Sequence, residues 1–398
     1  MQRSICLILI FCYSLLNAAE FDIVEIAKET RHGCQNREAA YRKAMEILPL
    51  YGNGNDLFLA VQQILEQACL LDKGRVVPIA NTPLAGNSSD PVFLLLDAKD
   101  KLVVVVKAFE YLDSSKGGFL KEITSLDFMA QHSELEIAVP AIIATGKTYA
   151  EDKWFGLLVQ GAAQGRRVDS YLDDALKNAQ GEERQRKLQE LEKLVLTAAE
   201  AFSRLNRTGE PRYQTITPKM IERVRKKLAN LEGEAIDFVA LTELVEEIIA
   251  VTENIPFLAG YAHKSTNLAN IFYEAETGQI WYIDVAKFHG SFDLQERPIS
   301  FSAYDLVRFI EALRKKSINQ LSNEEMDHLN DVAVQRYLEC SEDPNAALLV
   351  NFLSLNSNLC KLGNHFEYLK GSDERKKANS EKLIAMLKRQ LKQKTHSQ

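Results

Sequence analysis

A change of hydrophobic period near residue 165 constrains this chain more than any other feature. Before it, "PVFLLLDAKDKLVVVVKAFE" holds two apolar, β-branched runs about a polar turn, a pattern that predicts a β-hairpin. "GFLKEITSLDFMA" puts Phe119, Ile123 and Leu126 on one helical face, and "VPAIIATGK" and "WFGLLVQ" read as two more strands, the second ending at "GAAQG". From about Arg166 the period becomes helical: Leu188, Leu191, Val195, Ala198, Phe202 and Leu205 form one stripe and "DFVALTELVEEIIAVTENI" another, both read as core. A single β element interrupts the helices, "NIFYEAETGQIWYID", two short runs around a "TG" turn; helices resume at "SAYDLVRFIEAL". Strands with one helix, then a helical body with one embedded hairpin, predict an α+β chain of two lobes, a small antiparallel-sheet lobe and a larger helical one. A ligand is expected in the cleft between them.

The ends read differently. "MQRSICLILIFCYSLLNAAE" has Arg3, an apolar run from Ile5 to Leu16, then Ala18 and Ala19, the layout of a cleaved signal peptide over residues 1–19. A buried N-terminal helix is the alternative. Export to a secreted, lumenal or periplasmic location follows from the first reading. No other stretch approaches ~18 uninterrupted apolar residues, so no transmembrane segment is expected in the mature chain. "REAAYRKAMEIL" and "DLFLAVQQILEQACLL" read as helices of an extension over 20–75, separated by "PLYGNGN", a turn rich in breakers. The lobes are expected at 76–163 and 164–370, and a basic helix or tail at 371–398.

Charge and cysteine content narrow the function classes. A formal charge of −7 disfavours nucleic acid as the main partner, because phosphate backbones need a basic face. Beyond Cys6 and Cys12 in the leader stand Cys34, Cys69, Cys340 and Cys360, either paired as neighbours, Cys34 with Cys69 and Cys340 with Cys360, or four buried thiols. No cysteine or histidine cluster has zinc spacing. "NSS" at Asn87 and "NRT" at Asn206 are glycan acceptors in a eukaryotic secretory route, and a glycan on Asn87 would crowd the turn discussed next.

Moving a phosphoryl group requires a cation on the phosphates, oxygen ligands for Mg²⁺ and a group that positions the acceptor. Lys107 closes the run "LVVVVK", and Glu122, fifteen residues on, can pair with it. Either could equally be an ordinary surface charge. Gly86, Asn87 and Ser88 in "LAGNSSDPVF" can present backbone N–H groups to phosphate, although neither GxGxxG nor GxxxxGK[ST] is present. Asn270 opens the embedded hairpin and Asp284 closes it, so both oxygens meet at one edge, suited to Mg²⁺ held between protein and phosphates. His263 lies seven residues before Asn270.

With those residues in place, the chain resembles the aminoglycoside phosphotransferase and choline-kinase-like branch of the protein-kinase-like superfamily. "GNSSDPVFLLLDAKDKLVVVVK" is similar to its phosphate-loop and lysine-strand region. "WFGLLVQGAAQG" is similar to its hinge, where backbone groups near Gln160 to Ala162 would hold adenine. "HKSTNLAN" stands where the family carries His-Gly-Asp and, four residues on, Gly-Asn; "YIDVAKFHGSFD" and "SAYDL" stand for its metal-binding Asp and its downstream structural Asp, here Asp305. The resemblance runs from about Val77 to Phe309 and implies a two-lobed kinase-like fold using ATP and Mg²⁺. Lys107 takes the phosphate role, Glu122 anchors that lysine, and Asn270 and Asp284 take metal roles; the acceptor would be a small molecule. The departures gather in one loop: Ser265 replaces the catalytic Asp, Lys264 the Gly before it, and Ala269 the Gly before the Asn. His263 is then a candidate substitute base. A binding or scaffold module without phosphoryl transfer, a pseudokinase, is the alternative.

Overall fold

The computed structural model describes residues 50–368 except 54–55, 69, 80–90, 111–117, 152, 173, 208–209, 235–236, 294 and 318–319. The leader, the first extension helix, Cys34, Cys69, the turn at Gly86, Asn87 and Ser88, and the basic segment after 371 lie outside the described residues. The chain is α+β and divides into two compact units, Met1–Arg167 with Asn270–Glu296, and Val168–Ala269 with Arg297–Gln398.

The first unit contains β1 (Leu50–Asn53), α1 (Leu57–Gln67), β2 (Arg75–Pro78), β3 (Val92–Leu96), β4 (Leu102–Glu110) and α2 (Gly118–Gln131). There follow β5 (Ile137–Ala138), β6 (Ile142–Ala150), β7 (Lys153–Gly161), β8 (Arg166–Arg167), β9 (Ile271–Glu274) and β10 (Gln279–Tyr282). A six-stranded sheet runs β1-β6-β7-β4-β3-β2, antiparallel except for the parallel β1–β6 pair. The expected β3–β4 hairpin and the β6 and β7 strands are present. The expected turn at "PLYGNGN" is instead partly an edge strand, because Leu50 and Asn53 find partners in Lys147 and Tyr149. Pairing to an available edge overrides the weak local preference of such residues.

Alternation along β4 sends its side chains to two environments. Val104, Val106 and Ala108 join Leu57, Val61, Ile64 and Leu65 of α1 and Phe155, Leu157 and Val159 of β7 in one core. Fully burying each such large side chain is worth ~1.5–3 kcal/mol. Val105, Lys107 and Phe109 therefore face the other way, where Phe109 meets Phe119 of α2 at a ring separation of 5.7 Å. A smaller sheet runs β5-β10-β9-β8. Gly165 makes its β8–β9 junction possible, since its φ is +83° and a Cβ there would lie 2.3 Å from the Tyr273 carbonyl oxygen.

The second unit is mainly helical: α3 (Gly181–Arg204), α4 (Pro218–Ala229), α5 (Phe238–Thr252), α6 (Ala303–Lys316), α7 (Asn323–Cys340) and α8 (Ala346–Tyr368). The α3 stripe is core from Leu191 through Val195, Ala198 and Phe202 to Leu205. Local chemistry fixes the helix starts. Thr217 caps α4 ahead of Pro218, and Ser322 and Glu325 cap α7 reciprocally. Among the described residues no helix is long and apolar enough to cross a membrane.

Two expectations need correcting in this unit. Cys340 and Cys360 are free thiols, half-buried and exposed, so they are neither paired nor core. Cys340 ends α7, whereas Cys360 lies fourteen residues into α8, about 21 Å along that helix. A disulfide needs Cα atoms within about 7 Å. Asn206 is 3% exposed, and a Cβ on Gly260 would fall 2.1 Å from its Oδ1. The "NRT" sequon therefore offers no room for a glycan in the folded chain.

Candidate active site

Lys107 sits mid-sheet, its Cα opposite Leu158 of β7 and Val92 of β3. Its ammonium lies 2.7 Å from Glu122 Oε1 and 3.5 Å from Asp284 Oδ1. Glu122 belongs to α2, a helix buried on most of its circumference, so its carboxylate is enclosed and needs a cation. Burial works to lower the Lys107 pKa, but Glu122 and Asp284 outweigh it, and the ammonium ends above its ordinary value of 10.5. Glu122 Oε2 has no hydrogen-bond partner.

The β9–β10 hairpin delivers the other two groups. Ile271 pairs with Tyr282 and Glu274 with Gln279, and Ile283 N–H donates to the Asn270 carbonyl at 3.0 Å. Asn270 and Asp284 thus flank the last pair and meet: Asn270 Nδ2 donates to Asp284 Oδ2 at 3.4 Å. Asp284 is left-handed, φ +59° and ψ +50°, a conformation that Asp and Asn tolerate better than most residues. The segment after it is anchored onto the helix that carries Glu122. Phe292 stacks on Phe128 of α2 at 4.4 Å, and Phe288 packs against the same ring at 5.8 Å. Packing that orders α2 therefore also fixes the backbone on which Asp284 stands.

This donor set suits a hard divalent cation. A carboxylate and a carboxamide stand together, the Asp284 side chain is 60% exposed, and a rotation of the amide turns Asn270 Oδ1 toward the same point. Among the described residues no cluster of three or more His, Cys, Asp or Glu exists that could cage a metal. Two protein oxygens with the remaining positions left to water and phosphate is the coordination Mg²⁺ favours.

The loop from Ala262 to Ala269 belongs to the second unit and is shaped there by Asp305 at the start of α6. Asp305 accepts from His263 N–H at 2.6 Å, from Lys264 N–H at 3.1 Å and from the Thr266 hydroxyl. Burial pushes its pKa up, against the opposing pull of His263, Thr266 and both amides. The His263 ring is fully buried, and its Nδ1 accepts from Ser265 N–H at 3.2 Å. Lys264 holds φ +59°, the left-handed conformation a glycine adopts freely, at the position where the resembled family has Gly. The loop thus keeps a glycine-type bend without the glycine. No local sequence pattern marks Thr266, because its contact with Asp305 spans 39 residues.

At the expected hinge, Gln160 is still within β7, opposite Val105 and Ile142. Gly161 N–H donates to Ala141 O at 2.9 Å, and the Ala162 carbonyl accepts from Gln164 Nε2 at 2.9 Å. The Gln160 side chain is buried with an unpartnered oxygen.

No protein-family model matches the chain, and no curated protein matches it. Among solved structures, 38 chains match. An ethanolamine kinase from Plasmodium vivax aligns over 89% of this chain and 93% of its own, at 12% identity and a TM-score of 0.41. A glucosamine kinase aligns over 84% and 85%, at 12% identity and a TM-score of 0.44. A choline/ethanolamine kinase family protein from Mesorhizobium loti aligns over 79% and 92%, at 12% identity and a TM-score of 0.39. Similarities of that size carry no weight for activity, which is argued below from the residues themselves.

Proposed function

We propose that this protein is an ATP- and Mg²⁺-dependent phosphotransferase acting on a small molecule, with an atypical means of activating its acceptor. The observation that carries this reading is the four-residue constellation in the first unit. A buried lysine is held by a buried glutamate at 2.7 Å and by an exposed aspartate at 3.5 Å, and that aspartate abuts an asparagine.

Each group has a physical task. Glu122 fixes the Lys107 ammonium, and the raised pKa keeps it charged across the working pH range, ready to hold phosphate oxygens. Asp284 and Asn270 would hold Mg²⁺ by their side-chain oxygens. When bound, that ion neutralises charge on the phosphates and orients them. The aromatic stack of Phe128 and Phe292 keeps α2 and the hairpin in register. Asp305 and His263 fix the loop that bears Ser265. A fully buried imidazole whose Nδ1 is already engaged is suited to positioning that loop, and a serine hydroxyl is no base near neutral pH. A positioned base is worth about 10²- to 10⁴-fold, whereas positioning and electrostatics supply most of phosphoryl-transfer catalysis. Slow transfer without the carboxylate is therefore compatible with this site.

The second reading, a nucleotide-binding pseudokinase, is favoured by one observation, Ser265 at the position of the resembled family's catalytic Asp. Thermal-shift titration with ATP and Mg²⁺, followed by phosphate release measured over hours, separates the two. Binding with measurable, Mg²⁺-dependent release supports transfer. Binding without release supports the pseudokinase, and no shift at millimolar nucleotide removes both.

A further inference from the structure

Three helices of the second unit gather charged side chains that the phosphotransferase reading does not use. Arg223 and Lys227 stand one turn apart on α4, and Tyr304, Arg308 and Glu311 fall on one face of α6. Lys227 reaches α8, where its ammonium donates to the Asn356 carbonyl at 3.0 Å and to Asn356 Oδ1 at 2.8 Å. Arg308 Nη1 donates to Glu311 Oε2 at 3.1 Å, and the rest of that guanidinium is open to solvent. Burial lowers the Lys227 pKa from 10.5; the Cys360 thiol and Glu311 draw it back up, while Arg308 and Arg223 press it further down. Burial also raises the Tyr304 phenol above 10.0, against the pull of Arg223 and Arg308. Both guanidinium charges are thus felt at the ammonium and at the phenol.

Around that point the charges of Arg223, Lys227 and Arg308 outnumber that of Glu311, in a chain whose formal charge is −7. The fold makes little use of them. Among the described residues Arg223 has no hydrogen bond or ion pair, and the Tyr304 hydroxyl has no hydrogen bond. Like charges one turn apart on a helix repel, so the arrangement is unfavourable until an anion neutralises it. The donors present match a phosphate. A guanidinium fork pairs two of its oxygens, an ammonium adds a point charge, and a phenol kept protonated by burial donates a further bond. We propose that Arg223, Lys227, Arg308 and the Tyr304 hydroxyl form a binding site for a phosphate dianion, carried either as inorganic phosphate or as a small phosphomonoester. The site lies within the second unit and does not rest on the phosphotransferase reading.

The test is calorimetric titration of the full chain in Mg²⁺-free buffer with inorganic phosphate and with glycerol 3-phosphate, acetate at equal ionic strength serving as control. It is run on the wild type, Arg223→Gln and Tyr304→Phe. Arg223 is exposed, and Tyr304→Phe keeps the ring while removing a hydroxyl that holds no bond, so both variants are expected to fold as the wild type does. The wild type should bind phosphate at millimolar concentration or below, more weakly as salt is added. Each substitution should weaken that binding by roughly tenfold or more, the loss of one hydrogen bond to a charged group. The tighter of the two phosphates tells which source the site takes. Tyr304→Phe separates a built site from diffuse attraction to a basic surface, which does not sense a neutral hydroxyl. No binding by the wild type, acetate binding equal to phosphate, or phosphate binding that either substitution leaves unchanged would each overturn the proposal. The last of these places the anion elsewhere, such as at Lys107.

Discussion

Replacing Asp284 by Asn should separate function from folding more cleanly than any other change in this chain. Asp284 is 60% exposed and meets Lys107 at 3.5 Å, so losing the charge forfeits an exposed ion pair worth about 0.2–1 kcal/mol. Lys107 keeps its shorter, buried partner Glu122 at 2.7 Å. Asn also tolerates the left-handed backbone at 284, whereas Ala there adds roughly 1–2 kcal/mol of strain. The unliganded midpoint should therefore fall by no more than about 4 °C. Binding should suffer far more, because groups that merely support a metal ligand already cost about 10- to 100-fold, and a direct ligand should cost at least the upper figure. At a nucleotide concentration 100 times the wild-type dissociation constant, ligand stabilises the wild type by ~2.7 kcal/mol, a rise of roughly 5–10 °C. A 100-fold weaker variant gains only ~0.4 kcal/mol, about 1 °C. Differential scanning fluorimetry with ATP, with and without Mg²⁺, reads both quantities. A variant that keeps the full Mg²⁺-dependent shift, or loses far more than 4 °C without ligand, would refute the metal role given to this carboxylate.

Lys107→Met leaves Glu122 buried and unpaired and should cost ~3–5 kcal/mol in urea unfolding, most of it recovered by adding Glu122→Leu; losses that simply sum would contradict the buried-pair account. Because the folded Lys107 pKa is raised, its stabilising contribution is fully present below the ordinary 10.5 and is lost as pH climbs through the higher folded value, so wild-type urea midpoints should show no loss from this group between about pH 6 and 9. Lys264→Gly relieves a left-handed lysine of ~1–2 kcal/mol but loosens the unfolded chain by ~0.4–1 kcal/mol, so a net gain of about 0–1.6 kcal/mol is expected; a loss would show that the lysine side chain stabilises the loop. Ser265→Asp should raise phosphate release by about 10²- to 10⁴-fold if the nucleotide site is intact, and unchanged release with unchanged nucleotide binding would count against a transfer-competent site.

Some of this architecture was legible in the sequence because its cause is local. Period-two runs about "DAKDK" and "TG" dictate hairpins, and a hairpin must return Asn270 to Asp284 whatever surrounds it. The same alternation puts Lys107 on the face opposite Val106, and a helix with Phe119, Ile123 and Leu126 inward carries Glu122 beside them. Other features have distant causes. Leu50–Asn53 becomes a strand because β6 offers it an edge, and Cys360 stays unpaired with Cys340 because it lies fourteen residues into α8 while Cys340 ends α7. The contacts of Asp305 with His263, Lys264 and Thr266 span 39 to 42 residues, beyond any local pattern.

That last contrast bears on how the loop around Ser265 should be understood. Its hydrogen bonds run through the backbone of His263, Lys264 and Ser265 and the side chains of His263, Thr266 and Asp305. None of those bonds requires a carboxylate at 265. A loop that had merely decayed would have no reason to hold a lysine at φ +59° or to surround Asp305 with three donors, since each of these costs free energy to assemble. The same holds for Lys107, whose burial is unfavourable without Glu122. Each unit by itself thus carries a costly local geometry, the buried Lys107–Glu122 pair in one and the Asp305-centred loop in the other. Under the proposed phosphotransferase reading, a loop ordered at this cost is expected to show itself as slow but measurable phosphate release, and an ordered loop with none would leave only the binding-module reading.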